Sequence, residues 1–256
     1  MSAEMKKCFK KLCRCAGTAI EKYQLIADGD RILAAVSGGK DSIVMMHILS
    51  HLQEVAPVKF TFAAVTFDPG FVGFDTDAIR RYCLEHKWEH HMVSLPVGTI
   101  LREKDFENAP CVLCSRLRRG KLYGLAKELG FNKLALGQHL DDIAESFLMS
   151  LCRGQGVTTM APKSAADNPE HPEIIRIMAL APESLIAEFA SFLELPAAGE
   201  CPYHDQLKNS GDRAYFKNLV TQLASHIPDV RSNIAKSLSH VELEHLMVFP
   251  EIMEQK

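Results

Sequence analysis

No stretch of this chain holds the ~20 consecutive apolar residues that are needed to span a bilayer, so a membrane protein is not expected. A large charge surplus is also missing, because 29 basic residues stand against 32 acidic ones and the formal net charge is −3. This balance predicts no global affinity for nucleic acid, although a local basic face could still bind RNA. The N-terminus leads into a charged segment and not into a secretory apolar region, which favours a cytoplasmic protein.

Disulfides are not expected in such a reducing compartment, so the eight cysteines need another explanation. In an enzyme of this kind a set of cysteines favours metal binding or thiol chemistry for some members and simple burial for others.

The fold is predicted from short apolar strands that alternate with helices. Strands are expected at 31–36, 59–67, 89–94, 132–136 and 173–177, and helices at 42–52, 75–86, 115–129 and 141–151. This alternation is typical of right-handed βαβ crossovers and predicts an α/β fold with a doubly wound parallel sheet. Ligands of such sheets bind beyond the carboxyl ends of the strands.

Three segments are expected along the chain: an N-terminal basic helix in 1–28, the α/β domain in 29–180 and a helical C-terminal extension in 181–256. Two linkers, 96–110 and 154–172, show no clear period, and the second, rich in Gly, Pro, Ser and Asn, is expected to form a mobile loop over the site.

The first helix, expected at 6–26, is amphipathic and has one basic face. This face is either a solvated surface or a contact for RNA. It is formed by Lys6, Lys7, Lys10, Lys11 and Arg14.

A glycine-rich segment, Ser-Gly-Gly-Lys-Asp-Ser at 37–42, follows the first strand and opens a helix. Gly38 and Gly39 let the backbone approach an anion without an intervening Cβ atom, and the amides of a helix N-terminus point donors at phosphate oxygens. The spacing differs from the Walker loop, which disfavours a P-loop kinase or GTPase, and from the dinucleotide Gly-x-Gly-x-x-Gly fingerprint. The alternative is an ordinary strand-to-helix turn.

This segment resembles the signature of the PP-loop ATPases. The resemblance implies a loop that grips the β- and γ-phosphates of ATP, with cleavage between the α- and β-phosphates that activates a substrate oxygen as an adenylate. The ATP contacts that it implies are Ser37, Gly38, Gly39, Asp41 and Ser42, with Lys40 nearby.

A second motif, Gly-Gln-His-Leu-Asp-Asp at 137–142, follows a later strand and also opens a helix. Asp141 and Asp142 could simply be first-turn acids favoured by the helix dipole, but beside a phosphate site they also suit Mg²⁺. PP-loop tRNA-modifying enzymes are similar here and usually carry Gly-His-x-x-Asp-Asp. In this chain Gln138 stands where the histidine is usual, and His139 follows it.

Cys111 and Cys114 form a Cys-x-x-Cys at the expected start of a helix. A redox dithiol, a zinc site, two buried cysteines without function and an iron–sulfur site are the competing interpretations. No second Cys-x-x-Cys completes a closed zinc site, and no thioredoxin-like strand precedes the pair. Cys201 could supply a third thiolate to an iron–sulfur cluster.

The segment 111–120, Cys-Val-Leu-Cys-Ser-Arg-Leu-Arg-Arg-Gly, resembles the tRNA 2-thiocytidine synthetases, and the likeness spans about the first 200 residues. It implies a [4Fe–4S] cluster on Cys111, Cys114 and Cys201 with one iron left open. That family commonly carries a second Cys-x-x-Cys at the late site, where position 204 is His here. The remaining cysteines are interpreted as structural: Cys8, Cys13, Cys15, Cys83 and Cys152.

The resemblance implies an enzyme that uses ATP, Mg²⁺ and the cluster to thiolate a cytidine in the anticodon loop of tRNA through an adenylated base. Asp41 and Asp142 are the expected catalytic residues, and Phe67, Gly137 and Asp142 are expected to join the ATP contacts. The implied partners are tRNA, a sulfur donor such as a cysteine desulfurase, and a second copy of the chain. Three arginines follow the cysteine pair and would hold phosphates or RNA backbone, or form a solvated helix face. They are Arg116, Arg118 and Arg119.

Two other functions stay open from the sequence. One is a PP-loop activity on a different RNA base or a small molecule, and the other is a non-catalytic iron–sulfur protein that binds nucleotide.

Overall fold

The computed structural model describes residues 1–71, 73–103, 110–165, 168, 170–199, 201–202, 211–245 and 247. Six strands lie in this part of the chain: β1 (Arg31–Ala35), β2 (Thr61–Asp68), β3 (His90–Ser94), β4 (Lys133–Ala135), β5 (Lys163–Ser164) and β6 (Glu173–Ile175). The helices are α1 (Ala3–Tyr23), α2 (Lys40–Val55), α3 (Thr76–Glu85), α4 (Val97–Glu103), α5 (Pro110–Leu129), α6 (Leu140–Cys152), α7 (Glu183–Ala190), α8 (Asp212–His226) and α9 (Val230–Ser237), followed by a 3₁₀ turn at Leu243–His245.

The strands form one sheet in the order β3-β2-β1-β4-β6-β5. All neighbouring pairs are parallel except β5–β6, which is antiparallel. The order reverses between β1 and β4, and this switch point is where doubly wound sheets bind ligands. Both sequence motifs lie there, because the glycine-rich segment follows β1 and the Gly137–Asp142 segment follows β4.

Helices cover both faces of the sheet, as β1 illustrates. Ile32 and Ala34 belong to a core cluster that they share with residues of α1, α2 and α7, whereas Leu33 packs with Leu122 and Ala126 of α5 on the other face. Successive residues of a strand point to opposite faces, so an apolar strand such as β1 is buried on both sides. The predicted doubly wound α/β architecture is confirmed.

The N-terminal helix begins three residues earlier than the sequence pattern suggested. The Ser2 hydroxyl accepts a hydrogen bond from the Met5 amide (3.1 Å) and so caps α1. Its apolar face packs against α2 and α7 and is buried, while the opposite face is exposed to solvent. The buried residues of the apolar face are Cys8, Leu12, Ala16 and Ala19.

Three local expectations were wrong. The linker 96–110 contains the short helix α4, and the loop 154–172 contains β5, which pairs with β6. Helix α5 begins at Pro110 and not near residue 115, so the Cys-x-x-Cys lies inside the first turns of the helix. Proline is well suited to a first helical turn, because its missing amide hydrogen would have no partner there.

None of the helices within the described ranges is long and apolar enough to cross a membrane.

Candidate functional site

The loop between β1 and α2 is folded around the Ser42 side chain. Its hydroxyl donates to the Gly39 carbonyl oxygen (2.9 Å) and accepts from the Ser37 amide (3.2 Å). The Ser37 hydroxyl in turn lies 3.4 Å from the Gly39 amide nitrogen, which donates to it. These bonds hold the loop in one shape, so the amides at the start of α2 are oriented before any anion arrives.

Two glycines in the site are required by close packing. Gly38 has φ = +83°, and a Cβ atom there would lie 2.8 Å from Ala198 Cβ and 2.9 Å from Ile79 Cδ1. A Cβ atom on Gly137 would lie 3.2 Å from the Ser42 amide nitrogen, so the two loops of the switch point touch. Gly39 differs from both, since its φ is −73° and its Cβ would meet only Ser37 Oγ at 3.5 Å.

His139 lies between the carboxylates of the two motifs and is almost fully buried. Its Nε2 atom is 3.7 Å from Asp41 Oδ1 and 3.4 Å from Asp142 Oδ2. The Asp142 carboxylate also accepts a hydrogen bond from the His139 amide (3.1 Å) and so caps α6. The structure therefore brings Asp41 and Asp142, the two expected catalytic residues, to the same ring nitrogen of His139.

The C-terminal helices supply cations to these acids. Arg213 of α8 pairs with Asp142 (2.7 Å), and Arg231 of α9 pairs with Asp141. Asp141 also accepts from the Glu183 amide (2.7 Å), so both of its carboxylate oxygens have partners. Residues of α7, α8 and α9 therefore form one wall of the site.

Lys40 and Lys217 share the carboxylate of Glu183, at 3.1 and 2.8 Å. Partial burial would raise the pKa of Glu183, but hydrogen bonds and charge from the two lysines outweigh it and lower this pKa to about 2. Burial lowers the pKa of Lys40, but hydrogen bonds and charge from Asp41 and Glu183 raise it by more, so the net shift is upward. Lys40 therefore stays protonated beside the place where phosphate is expected.

Gln138 has a defined role in the structure. Its Oε1 atom accepts from Arg176 Nε at 2.6 Å, and the same guanidinium donates to the Ala161 carbonyl oxygen. Arg176 is 7% exposed, and its desolvation lowers its pKa, as does the nearby charge of Arg119. An amide oxygen satisfies this buried cation, whereas an imidazole in the usual family position would do so only with an unprotonated nitrogen.

Two of the three predicted cluster thiols influence each other. Burial raises the pKa of Cys114, the charge of Cys201 adds to this rise, and Arg118 lowers the pKa by charge and hydrogen bonding. The two cysteines interact electrostatically although 87 positions separate them in the sequence. Cys111 lies in α5, but its side chain is outside the described residues. In the part of the chain with described side chains, no group of three His, Cys, Asp or Glu residues is arranged to hold a metal.

Two residues shortly before Cys201 pack against loops at the carboxyl ends of the strands. Ala198 packs directly over Gly38, and its carbonyl oxygen accepts from the Asp75 amide (2.9 Å). Gly199 has φ = +76°, and a Cβ atom there would lie 2.1 Å from the Gly73 carbonyl oxygen, so only glycine fits. Ala198 and Gly199 are therefore held against the loops that follow β1 and β2.

Known proteins are similar to this chain in sequence and in fold. A family model of the PP-loop domain matches residues 6–196. The tRNA-cytidine(32) 2-sulfurtransferase of Syntrophotalea carbinolica is 41% identical over 240 residues, which cover 93% of this chain and 92% of that protein. The chain belongs to the tRNA-cytidine(32) 2-sulfurtransferase family.

Two further relatives agree with this membership. The tRNA-cytidine(32) 2-sulfurtransferase of Geobacter sulfurreducens is 39% identical over 93% of each chain. Among solved structures, the U34-tRNA thiolase NcsA from Methanococcus maripaludis with its [4Fe-4S] cluster superposes with a TM-score of 0.75 at 25% identity, covering 95% of this chain and 84% of that one. The predicted family and fold are confirmed.

The predicted RNA-binding residues of this family member fall on two surfaces. All five cations on the basic face of α1 are exposed. On α5, Arg116 and Arg119 are exposed, while Arg118 is half-buried beside Cys114. Phe67, the expected nucleotide contact at the end of β2, is half-buried and packs with the apolar cluster of Leu95, Val97 and Leu101.

Sequence reasoning missed the residues that the C-terminal helices bring to the site. Glu183 follows a proline at a helix start, and Arg213, Lys217 and Arg231 occupy ordinary positions on polar helices. No local pattern separates them from surface charges. Their role becomes visible only through their partners.

Proposed function

We propose that this protein catalyses the ATP-dependent 2-thiolation of cytidine 32 in tRNA, the reaction that its relatives' names describe. One observation carries the proposal: Ala198, three residues before Cys201, packs against Gly38 of the phosphate loop, and the charge of Cys201 acts on the Cys114 thiol. This supports an iron–sulfur site in the neighbourhood of the site that would activate a substrate oxygen. Thiolation needs a group that delivers sulfur to the activated carbon, whereas simple adenylation does not.

For ATP, the proposed contacts are the loop residues and the facing strand end. The oriented amides after Gly38 and the cation of Lys40 suit the β- and γ-phosphates, since anions are favoured at a helix N-terminus. The full proposed set is Ser37, Gly38, Gly39, Lys40, Asp41, Ser42, Phe67, Gly137 and Asp142.

For Mg²⁺, Asp41 and Asp142 are the proposed ligands and the proposed catalytic carboxylates. Mg²⁺ in nucleotide sites is held through one or two carboxylates together with phosphates and water, so two converging carboxylates fit its needs. When bound, Mg²⁺ would neutralise charge on the pyrophosphate leaving group. Asp141 is the less suitable ligand, because its carboxylate is the most deeply buried of the three, with 8% of the side chain exposed against 17% for Asp142 and 35% for Asp41.

For the [4Fe–4S] cluster, the proposed ligands are Cys111, Cys114 and Cys201. The chemistry of the donor set fits the group, because soft thiolates select iron–sulfur clusters and the Cys114 and Cys201 thiols influence each other electrostatically. When bound through three cysteines, the cluster would have one iron free to hold the sulfide that replaces the activated oxygen. Arg118 lies beside Cys114 and favours its thiolate form. A cysteine desulfurase is the proposed sulfur donor.

For tRNA, the proposed contacts are the basic face of α1 and the arginines of α5. Single-stranded loops are where a protein can reach the edge of a base, which suits an anticodon-loop target. We also propose a role for each of the three segments: RNA contact for 1–28, ATP chemistry for 29–180, and closure of the site together with the third cluster ligand for 181–256. The proposed enzyme is cytoplasmic and acts as a homodimer.

The test uses protein purified and reconstituted without oxygen. Incubation with ATP, Mg²⁺, sulfide and tRNA should yield AMP, pyrophosphate and 2-thiocytidine, which mass spectrometry of digested tRNA detects. ATP–pyrophosphate exchange should depend on tRNA. Exchange that proceeds equally without tRNA, together with unmodified cytidine, would contradict tRNA as the activated substrate and favour the small-molecule alternative.

A further inference from the structure

A small cavity opens between α6, α8 and the loop before β5, next to the proposed ATP site. It has a volume of about 120 Å³. Met149, Met160 and Phe216 line it with apolar atoms, whereas Asp142, Glu145 and Arg213 contribute charged groups. This volume is comparable with the ~150 Å³ of a cavity that accommodates benzene, so it suits a single six-membered ring.

Glu145 is the unusual residue of this cavity. It is 7% exposed, and among the described residues it has neither a hydrogen-bond partner nor an ion-pair partner. Its carboxyl oxygens are not among the fully buried unpaired atoms of the described residues, so they open to the cavity. A largely desolvated carboxyl group that faces a cavity without a protein partner is suited to a polar ligand. The other charged groups around it lie on α6, α7 and α8: Asp142, Glu183, Arg213 and Lys217.

These neighbours and the burial set the protonation of Glu145. Desolvation is the largest effect, and Asp142 and Glu183 add to it, while Lys217 and Arg213 oppose it. Together they raise the pKa of Glu145 to about 7. Near neutral pH the group can therefore donate one hydrogen bond and accept another, which an ordinary ionised glutamate cannot do.

Cytosine presents the complementary edge, with the acceptor N3 beside the donor N4 amino group. Acidic side chains accept from cytosine N4 in nucleic-acid recognition, and unstacked bases of RNA loops rest on aromatic side chains such as Phe216. We propose that this cavity receives the target cytosine of the tRNA and that Glu145 reads its N3–N4 edge. The C2 oxygen lies on the other side of N3 and would then face Asp142 and Arg213, towards ATP.

This inference rests on the proposed function, so its test needs a binding readout as well as turnover. Anticodon stem-loops carrying either cytosine or an abasic site at position 32 are titrated against the protein with a non-hydrolysable ATP analogue. The wild type should bind the cytosine form about 10- to 100-fold more tightly, the range of a good bidentate base contact. Glu145→Leu should bind both forms equally weakly.

Glu145→Gln is the conservative partner, because an amide can still donate to N3 and accept from N4. It should keep most of the discrimination and most of the 2-thiocytidine formation. The matched control is Glu54→Leu, the same change at an exposed glutamate in the last turn of α2, remote from the phosphate loop. Circular dichroism and ATP affinity should match the wild type in all three variants.

The outcomes separate the two proposals. If the wild type forms 2-thiocytidine but binds both stem-loops equally, or if Glu145→Leu discriminates as the wild type does, the cavity does not hold the base. If the wild type discriminates through Glu145 yet forms no 2-thiocytidine, the base pocket stands and the proposed reaction is wrong. A uracil at position 32 that binds as tightly as cytosine would show that Glu145 does not select the base.

Discussion

Three glycine-to-alanine changes test the phosphate loop, because the structure gives each glycine a different reason to be there. In Gly38→Ala the new Cβ would sit on a backbone with φ = +83°, 2.8 Å from Ala198 Cβ. The left-handed backbone costs about 1–2 kcal/mol, and overpacking adds about 1–3 kcal/mol. The loss should therefore be about 2–5 kcal/mol, which lowers Tm by roughly 5–20 °C in a domain of this size.

Gly39→Ala should behave differently. Its φ of −73° suits any residue and its Cβ meets only Ser37 Oγ, so the free energy of unfolding should change by no more than about 0.5 kcal/mol. The methyl group would instead stand where a phosphate approaches the loop, so ATP affinity should fall by about tenfold or more, that is by at least ~1.4 kcal/mol. Gly39→Val, with a larger side chain, should block ATP binding while the fold stays intact.

Gly17→Ala is the control for the chemical change itself. Gly17 lies in the interior of α1, and a Cβ atom there would meet nothing within 4 Å. Alanine should stabilise the protein by about 0.5–1 kcal/mol without changing ATP affinity.

Urea unfolding and calorimetric titration with ATP measure both quantities for the three variants. Wild-type stability of Gly38→Ala would refute the packing of Ala198 over the loop. Wild-type ATP affinity of Gly39→Val would refute the assignment of the loop to phosphate.

Three further predictions concern charge and thiols. Replacing the cations on the basic face of α1 with glutamate should weaken tRNA binding, and the slope of log affinity against log salt concentration should decrease by ~0.7–0.9 for each lost phosphate contact. The control Lys87→Glu, after α3, should leave the affinity and the slope unchanged. An unaltered slope in the α1 variant would show that this face does not contact tRNA. Anaerobic protein should be brown, and Cys114→Ala or Cys201→Ala should abolish the colour and thiolation while Cys83→Ala keeps both; a colourless protein with stoichiometric zinc would contradict the cluster. The pKa of Glu183 is about 2 in the folded protein and 4.5 ordinarily, so its ion pairs stabilise the protein above pH ~4.5 and are lost as pH falls towards 2. Glu183→Gln should therefore reduce the fall in the free energy of unfolding over this pH range. An unchanged pH dependence would show that the lysines do not stabilise the Glu183 carboxylate.

Much of the fold follows from local patterns. Apolar runs such as Ile32–Val36 in the sequence predict strands, and the glycine loop after β1 and the acidic turn after β4 mark helix starts, because propensity and capping act within a few residues. Elements without such a signal were missed. Helix α4 is seven residues long in an irregular stretch, and β5 has two residues that count as a strand only through pairing with Ile174 and Ile175.

The sequence by itself determined which chemistry the chain carries: a phosphate loop, an acidic turn and a cysteine pair, each a short contiguous motif whose function resides in its own spacing. Only the tertiary structure decided how these parts meet. Arg213 reaches Asp142 across 71 positions because α8 packs on α6, and Ala198 reaches Gly38 because it packs over the phosphate loop. The unpartnered carboxyl of Glu145 arises in the same way, since burial, charge pairing and cavities depend on packing between segments that are distant in sequence, which no local pattern encodes.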